Sequence, residues 1–328
     1  MLHIKLFLFE EELFLLGNKS QIHNIIYHRD KINFNVVFIM KSGYKTFAII
    51  GGDKRQLYCA RSLADDGFEV ILGGFDKVVS MRGVELCTPE EAAQKGEVII
   101  LPLPSVNKEG IIPAAFSDKK IKLTELSPCL SGKRVFCSMK DKVTDLAPNL
   151  NPKLLSDYYA REDFVLSNAY VTAEGAVKLA LERFEGTING SEVLVCGFGR
   201  IGKALTKVLS GFSPKLTISA RKSEDLAAIR LLGAKAVQTD KLYKEKPFDI
   251  IFSTVPALVF GPELLAKIAN DAVLIDLASL PGSVDFEAAE RLQVDYVHAL
   301  SLPGKTSPKT AGEIIKDTVY TILEEEHQ

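Results

Sequence analysis

The feature that most restricts the fold of this chain is Gly197-Phe198-Gly199-Arg200-Ile201-Gly202, set directly between an apolar stretch (193–196) and a helical pattern. Glycines at this spacing meet three physical needs. The first permits a tight turn, the second lets the backbone approach a diphosphate, and the third lets helix and strand pack closely. A diphosphate held by such a turn sits on the helix N-terminus, where N–H groups and the positive end of the helix dipole point at it. The spacing alone is weak evidence. Its position after an apolar strand and before a helix makes it a dinucleotide fingerprint.

A related opening stands much earlier. The stretch FAIIGGDKRQ, from Phe47, runs an apolar segment into Gly51 and Gly52 and then into a helical pattern. It lacks the fingerprint spacing and puts Asp53 where a phosphate would sit, against the charge of the ligand. The expectation is two similar folds in one chain, one holding the nucleotide and the other holding what the nucleotide reacts with.

The strand that follows the fingerprint selects the cofactor. An NAD site carries an acid about 20 residues past the glycines, for the ribose 2′-hydroxyl. Here Ala220-Arg221-Lys222-Ser223 brings two cations and a hydroxyl, and no acid. That set suits charge-assisted hydrogen bonds to a 2′-phosphate, so the reading is NADP. The alternative is a solvated surface loop.

A chain of 328 residues points to two domains. The formal charge of −2 gives no electrostatic case for nucleic acid or a membrane surface. The five cysteines (Cys59, Cys87, Cys129, Cys137, Cys196) form no CxxC pair, which fits reduced thiols and neither a disulfide framework nor a metal site. At the N-terminus, apolar patches are broken by Glu10, Glu11 and Glu12, so no run reaches the length of a membrane span and no signal-peptide pattern is met. Residues 1–39 are expected to be an extension outside the folded core, with Met40 opening the domain and the start codon set too early. An extra element docked on the N-terminal domain is the alternative.

Strands are expected at 47–50, 69–72, 84–86, 98–101, 134–137 and 153–156, then at 193–196, 216–219, 234–237, 250–254, 273–277 and 296–299, with helices between them. A helix from Thr172, with Ala176, Leu179, Ala180 and Phe184 on one face, links the two series. The fold class is α/β: two doubly wound parallel-sheet (Rossmann-like) domains with an interdomain cleft and a C-terminal helix (311–323) returning to the first domain. The expected bounds are 40–167 for the N-terminal substrate-side domain, 168–306 for the NADP-binding domain and 307–328 for the returning helix.

Loops at the carboxyl ends of parallel strands make ligand sites. In the cofactor domain these are Thr254-Val255-Pro256 and Leu277-Ala278-Ser279. In the first domain, Arg55 and Gln56 follow the glycine turn and Pro104 lies in a strand-end loop; Lys305 and Lys309 flank the start of the final helix. Arg55, Gln56, Pro104, Lys305 and Lys309 are the candidates for binding an anionic substrate; for Arg55, Lys305 and Lys309 the alternative is a solvated surface charge. The proton acceptor is open among Asp53, Glu174, Tyr158 and Lys305. His298 falls on an expected strand and reads as packed, not catalytic. Neither a metal cluster nor a Ser–His–Asp grouping appears.

The stretches GGDKRQ, SNAYVTAEGAVKLAL, VLVCGFGRIGKAL, SARKSEDL, STVPALV, DLASLPGSVDF and LPGKTSPKTAGEII together resemble the family of the dipicolinate synthase A subunit of spore-forming bacteria, from about Met40 to Leu323. The resemblance implies NADP-linked oxidation of dihydrodipicolinate to dipicolinate during sporulation, in the mother-cell cytoplasm, together with a flavoprotein-like B subunit. A homo-oligomer is expected. Gly197, Gly199, Gly202, Arg221 and the Thr254–Pro256 loop match the family's cofactor pattern; the leader before Met40 departs from it. A pyridine dicarboxylate product accords with cationic binding residues. Aromatisation favours hydride loss, so a weak or solvent-borne base suffices. Two other readings stand beside this one: an NADP-dependent two-domain dehydrogenase of a small carboxylic acid, and a non-catalytic NADP-binding regulatory or scaffold protein.

Overall fold

Apolar runs capped by glycine turns become parallel strands buried on both faces, and this happens twice. The computed structural model describes residues 43–326. The expectations for residues 1–39 lie outside the described residues. Two compact units result. One holds the described residues through Arg161 together with those from Gly312 onward; the other is Glu162–Ala311.

In the first unit the order is β1 (Thr46–Ile50), α1 (Lys54–Asp65), β2 (Glu69–Gly73), β3 (Val84–Cys87), α2 (Pro89–Lys95), β4 (Val98–Ile100), β5 (Ile111–Ile112), β6 (Ile121–Lys122), α3 (Leu123–Leu130), β7 (Arg134–Cys137), α4 (Lys140–Leu146) and β8 (Leu155–Asp157). The sheet runs β3-β2-β1-β4-β7-β8, all parallel. The β5–β6 pair is a small antiparallel ladder of its own.

The second unit begins with α5 (Glu162–Arg183) and continues through β9 (Glu192–Cys196), α6 (Arg200–Ser210), β10 (Lys215–Ala220), α7 (Ser223–Leu231), β11 (Lys235–Gln238), β12 (Ile250–Ser253), α8 (Pro262–Leu265), β13 (Val273–Asp276), α9 (Phe286–Arg291), β14 (Asp295–His298) and α10 (Leu302–Thr306). Its sheet runs β11-β10-β9-β12-β13-β14. Counted within each six-stranded sheet, both orders are 3-2-1-4-5-6, the doubly wound arrangement whose ligand position lies where the order reverses.

Alternation along the strands of the second unit divides its core. Val193 and Val195 of β9 join one apolar cluster with α5 and α6 residues. Leu194 and Cys196 join the other, with Leu265, Ala288 and Ala289. A strand buried on both faces needs apolar residues at nearly every position, which is why these segments read as unbroken runs.

Helix α5 begins at Glu162, ahead of the expected Thr172. Its first turn carries Glu162 and Asp163, which the positive end of the helix dipole favours. Buried residues fall on so much of its circumference (Phe164, Ala169, Val171, Ala173, Ala176) that no single apolar stripe marks the start.

The last helix, α11 (Pro308–Glu326), returns to the first unit as expected. Gly312 makes this possible: a Cβ there would stand 2.4 Å from the Arg55 carbonyl oxygen and 2.8 Å from the Cys59 nitrogen, so α11 and α1 touch backbone to backbone. One turn on, buried Lys316 reaches Asp66 at 2.5 Å, and the Tyr320 hydroxyl donates to the same carboxylate at 3.2 Å. The Tyr320 ring packs against Phe47 and Phe68. Arg134 pairs with Glu326, and Arg161 with Glu325, at the far end.

Asp66→Ala would take the close, buried counter-charge from the Lys316 ammonium and leave it only the exposed Asp317 carboxylate at 3.9 Å. A loss of about 3–5 kcal/mol is expected in denaturant unfolding, with much of it recovered by adding Lys316→Met. A single-variant loss below about 1 kcal/mol would show that the pair does not anchor the helix.

Candidate dinucleotide-binding site

The three fingerprint glycines stand in three different settings. Gly197 ends β9 at φ +100°, and a Cβ there would meet the Thr254 hydroxyl at 2.4 Å. Gly202, in the first turn of α6, would place a Cβ 2.1 Å from the Gly197 carbonyl oxygen. A Cβ on Gly199 would meet nothing within 4 Å. No protein atom demands glycine at 199, so the space kept open there is space for something else. Gly199 is the N-cap of α6 and gives its helix no side-chain cap. No described residue accepts from the N–H groups of Phe198, Gly199 or Ile201. The residues fit a bound diphosphate.

The neighbouring strand ends complete the position. Thr254 binds the Cys196 carbonyl oxygen through both its N–H (2.8 Å) and its hydroxyl (3.0 Å), which fastens the end of β12 to that of β9. Ala220 closes β10, buried, and is followed by exposed Arg221. Arg221 makes no side-chain hydrogen bond or ion pair among the described residues. Lys222 is the N-cap of α7, its ammonium 4.0 Å from Glu224. Ser223 lies 3.5 Å from the same carboxylate. Arg200 points elsewhere, binding Glu162 at 2.8 and 2.5 Å. Beyond β13, Leu277 and Ala278 are buried and Ser279 is exposed; beyond β12, Val255 is half-buried and Pro256 exposed.

The first unit's opening is built the opposite way. The Gly52 N–H donates to Pro113 O at 2.6 Å, and a Cβ on Gly51 would strike that same oxygen. Asp53 caps α1 in a capping box with Gln56. The N–H groups of Gly52, Asp53, Arg55 and Gln56 are thus already used, and a carboxylate stands among them.

That arrangement holds Arg55 rigidly. Its Nε and Nη2 bind Asp53 at 2.9–3.2 Å, and Nη2 also donates to Leu103 O at 2.7 Å. The residue is only 8% exposed. Its Nη1 has no hydrogen bond among the described residues, yet is not sealed from solvent. Pro104 is the exposed residue after Leu103. Gln56 is fully buried, with Oε1 accepting from the Asp53 N–H and Nε2 unpartnered among the described residues. The structure therefore brings Asp53, Arg55, Gln56 and Pro104 together. Lys305 and Lys309 are exposed residues of α10 and α11, and Glu174 is exposed on α5.

Tyr158, a sequence candidate for proton acceptor, is fully buried and donates to Leu101 O at 3.0 Å. Burial raises its pKa well above the ordinary phenol value, so it is a neutral structural donor. His298 closes β14 with Nε2 2.8 Å from Ala278 O. A carbonyl only accepts, so this nitrogen carries the proton. Burial pushes the Cys196 thiol up to about 11 and those of Cys59 and Cys137 to about 12. A separate cavity of about 630 Å³ opens beside Asp76, Cys87 and Lys120 in the first unit. It includes none of the sequence-predicted site residues. Among the described residues, no group of three or more His, Cys, Asp or Glu can hold a metal ion, and no helix is long and apolar enough to cross a membrane.

Fold and site together define a two-unit α/β protein with a dehydrogenase-type dinucleotide-binding unit. Residues 162–285 match the family described as D-isomer specific 2-hydroxyacid dehydrogenase, NAD binding domain. Residues 46–155 match the N-terminal domain of the dipicolinate synthase A subunit. The dipicolinate synthase A subunit of Bacillus subtilis (strain 168) is 31% identical over 292 residues, 87% of this chain and 98% of that protein. The crystal structure of the dipicolinate synthase A subunit from Bacillus halodurans is similar with a TM-score of 0.75 and 30% identity, covering 85% of this chain and 97% of that one. For the A chain of Bacillus subtilis dipicolinate synthase the values are 0.74, 29%, 87% and 98%. The chain belongs to the family of dipicolinate synthase A subunits.

Gly199→Ala is expected to leave the melting temperature nearly unchanged while weakening dinucleotide binding at least about tenfold, read by calorimetric titration. Gly202→Ala, which drives a Cβ into Gly197 O, is expected to lower the melting temperature as well. If Gly199→Ala binds like the parent, the open space does not belong to a ligand.

Proposed function

We propose that the chain is an NADP-linked oxidoreductase that oxidises dihydrodipicolinate to dipicolinate, working with the B subunit of dipicolinate synthase. The open space at Gly199, in a chain of this family, carries the reading. The Phe198, Gly199 and Ile201 N–H groups bind the diphosphate at the start of α6. Arg221, with nothing of its own to bind among the described residues, takes the 2′-phosphate, assisted by Lys222 and Ser223. Residues 254–256 and 277–279 line the nicotinamide half. When bound, NADP supplies the two-electron acceptor.

The remaining tasks fall to the chain's own groups. A dicarboxylate needs a cation with a fixed direction. Arg55 meets that need, because Asp53 and Leu103 O hold one edge of its guanidinium and leave Nη1 for a ligand. Lys305 and Lys309, in the second unit, are the further candidates for an anionic substrate group. Oxidation to the pyridine releases one proton besides the two electrons and hydrogen taken by the acceptor. Asp53, Glu174 and water remain the receivers of that proton, since a Lys305 that carries positive charge has no lone pair to accept it. Asp53 is the one already set beside the proposed carboxylate anchor.

The test is to mix purified chain, with and without the B subunit, with dihydrodipicolinate and NADP and to follow absorbance of dipicolinate and NADPH. Turnover requiring NADP supports the reading; tight NADP binding with no turnover under either condition would favour a non-catalytic role. Arg221→Asp is expected to shift preference toward NAD by about 1–3 kcal/mol. Equal affinity of the parent for NAD and NADP would contradict the assignment of Arg221. For the anchor, Arg55→Lys keeps the charge but loses the fork that grips two partners at once. It is expected to lower kcat/KM about tenfold, with NADP affinity unchanged. A parallel fall in NADP affinity would assign Arg55 to the cofactor instead.

A further inference from the structure

The row of residues at the carboxyl end of the second sheet breaks the rule that its strands obey. Pairing places Ser219, Cys196, Ser253, Asp276 and His298 side by side across β10, β9, β12, β13 and β14. Alternation turns this row to the face of Leu194, Ile251 and Leu274. All but His298 are fully buried. The Ser219 hydroxyl lies 3.4 Å from Cys196 Sγ, and Ser283 Oγ lies 2.6 Å from Ser253 Oγ.

Asp276 is the anomaly in the row. It is a fully buried carboxylate with no ion-pair partner among the described residues. Both oxygens accept from backbone: Oδ1 from the Ala278 N–H at 3.0 Å and Oδ2 from the Ser283 N–H at 2.6 Å. Accepting on both oxygens is the pattern of the ionised group. The loop 277–283 is thereby clasped at both ends by one side chain. Gly282 fits within it at φ +90°, where a Cβ would stand 2.8 Å from Oδ2. Burying a charge without a counter-charge is costly, and packing needs only the loop's shape, which a neutral group can support.

A doubly wound sheet binds one mononucleotide on each half. Arg221 marks the β9–β11 half as the 2′-phosphate side, so the β12–β14 half, which contains Asp276, receives the nicotinamide. The oxidised ring is positively charged and the reduced ring is neutral; all other charges of the two forms are the same. We propose that Asp276 is a fixed negative charge beneath the nicotinamide half and biases the site toward the oxidised cofactor, the form an oxidation consumes. The proposal rests on the dinucleotide reading above.

The experiment titrates the full chain with NADP+ and with NADPH. The parent is expected to bind NADP+ more tightly, by about threefold or more, as for unit charges several ångströms apart at intermediate dielectric. A buried charge is screened little by salt, so the ratio is expected to persist when ionic strength is raised. Asp276→Asn is expected to bring the ratio to about one. Gly282→Ala disturbs the loop but keeps the charge, and is expected to weaken both forms together with the ratio unchanged. Equal parental affinities, a preference for NADPH, a ratio that collapses with salt, or a ratio unaltered in Asp276→Asn would each overturn the proposal. If Asp276→Asn does not fold, the parental ratio and its salt dependence still decide. A chain that binds neither form would remove the dinucleotide reading and this inference together.

Discussion

The contact between Gly202 and the Gly197 carbonyl oxygen determines what the second unit can do. No other residue lets α6 start so close to the end of β9. Because it starts there, its unpaired N–H groups stand over the carboxyl edge of the sheet, at the point where strand order reverses. Thr254 then locks the next strand end to the same place through the Cys196 carbonyl oxygen. The turn is crowded by protein at Gly197 and Gly202 and empty at Gly199. An anion fits that combination, because backbone donors and the helix dipole both favour it.

The first unit shares the strand order yet uses its turn differently. Pro113 O takes the Gly52 N–H, and Asp53 takes the N-cap. These same bonds brace Arg55 through Asp53 and Leu103 O. The turn thus supports a single directed cation where the second unit's turn leaves its N–H groups open. Helix α11 packs on α1 through Gly312 and the buried Lys316–Asp66 pair, and so supports the helix that carries Arg55.

Much of this is legible in the sequence because it is local. Strands buried on both faces appear as apolar runs, and the fingerprint glycines declare a strand–turn–helix. The start of α5 is not legible: with Phe164, Ala169 and Val171 buried while Leu166 and Tyr170 are exposed, its first turns show no stripe. Arg55 reads as a free clamp because its grip on Leu103 O joins residues far apart in the chain. Pro113 filling the first turn is hidden for the same reason. The Asp276 row depends on the register of five strands, which no single stretch reveals. Tyr158 is a candidate proton acceptor by residue type alone, and its burial against Leu101 O removes it from that role.

The central claim is that one glycine turn holds the nucleotide and its counterpart does not. Amide hydrogen exchange of the full chain, with and without NADP, tests this most directly. The account predicts strong protection over 197–203 and at 220–223, with exchange at 51–56 unaltered. Protection at 51–56 with none at 197–203 would contradict it.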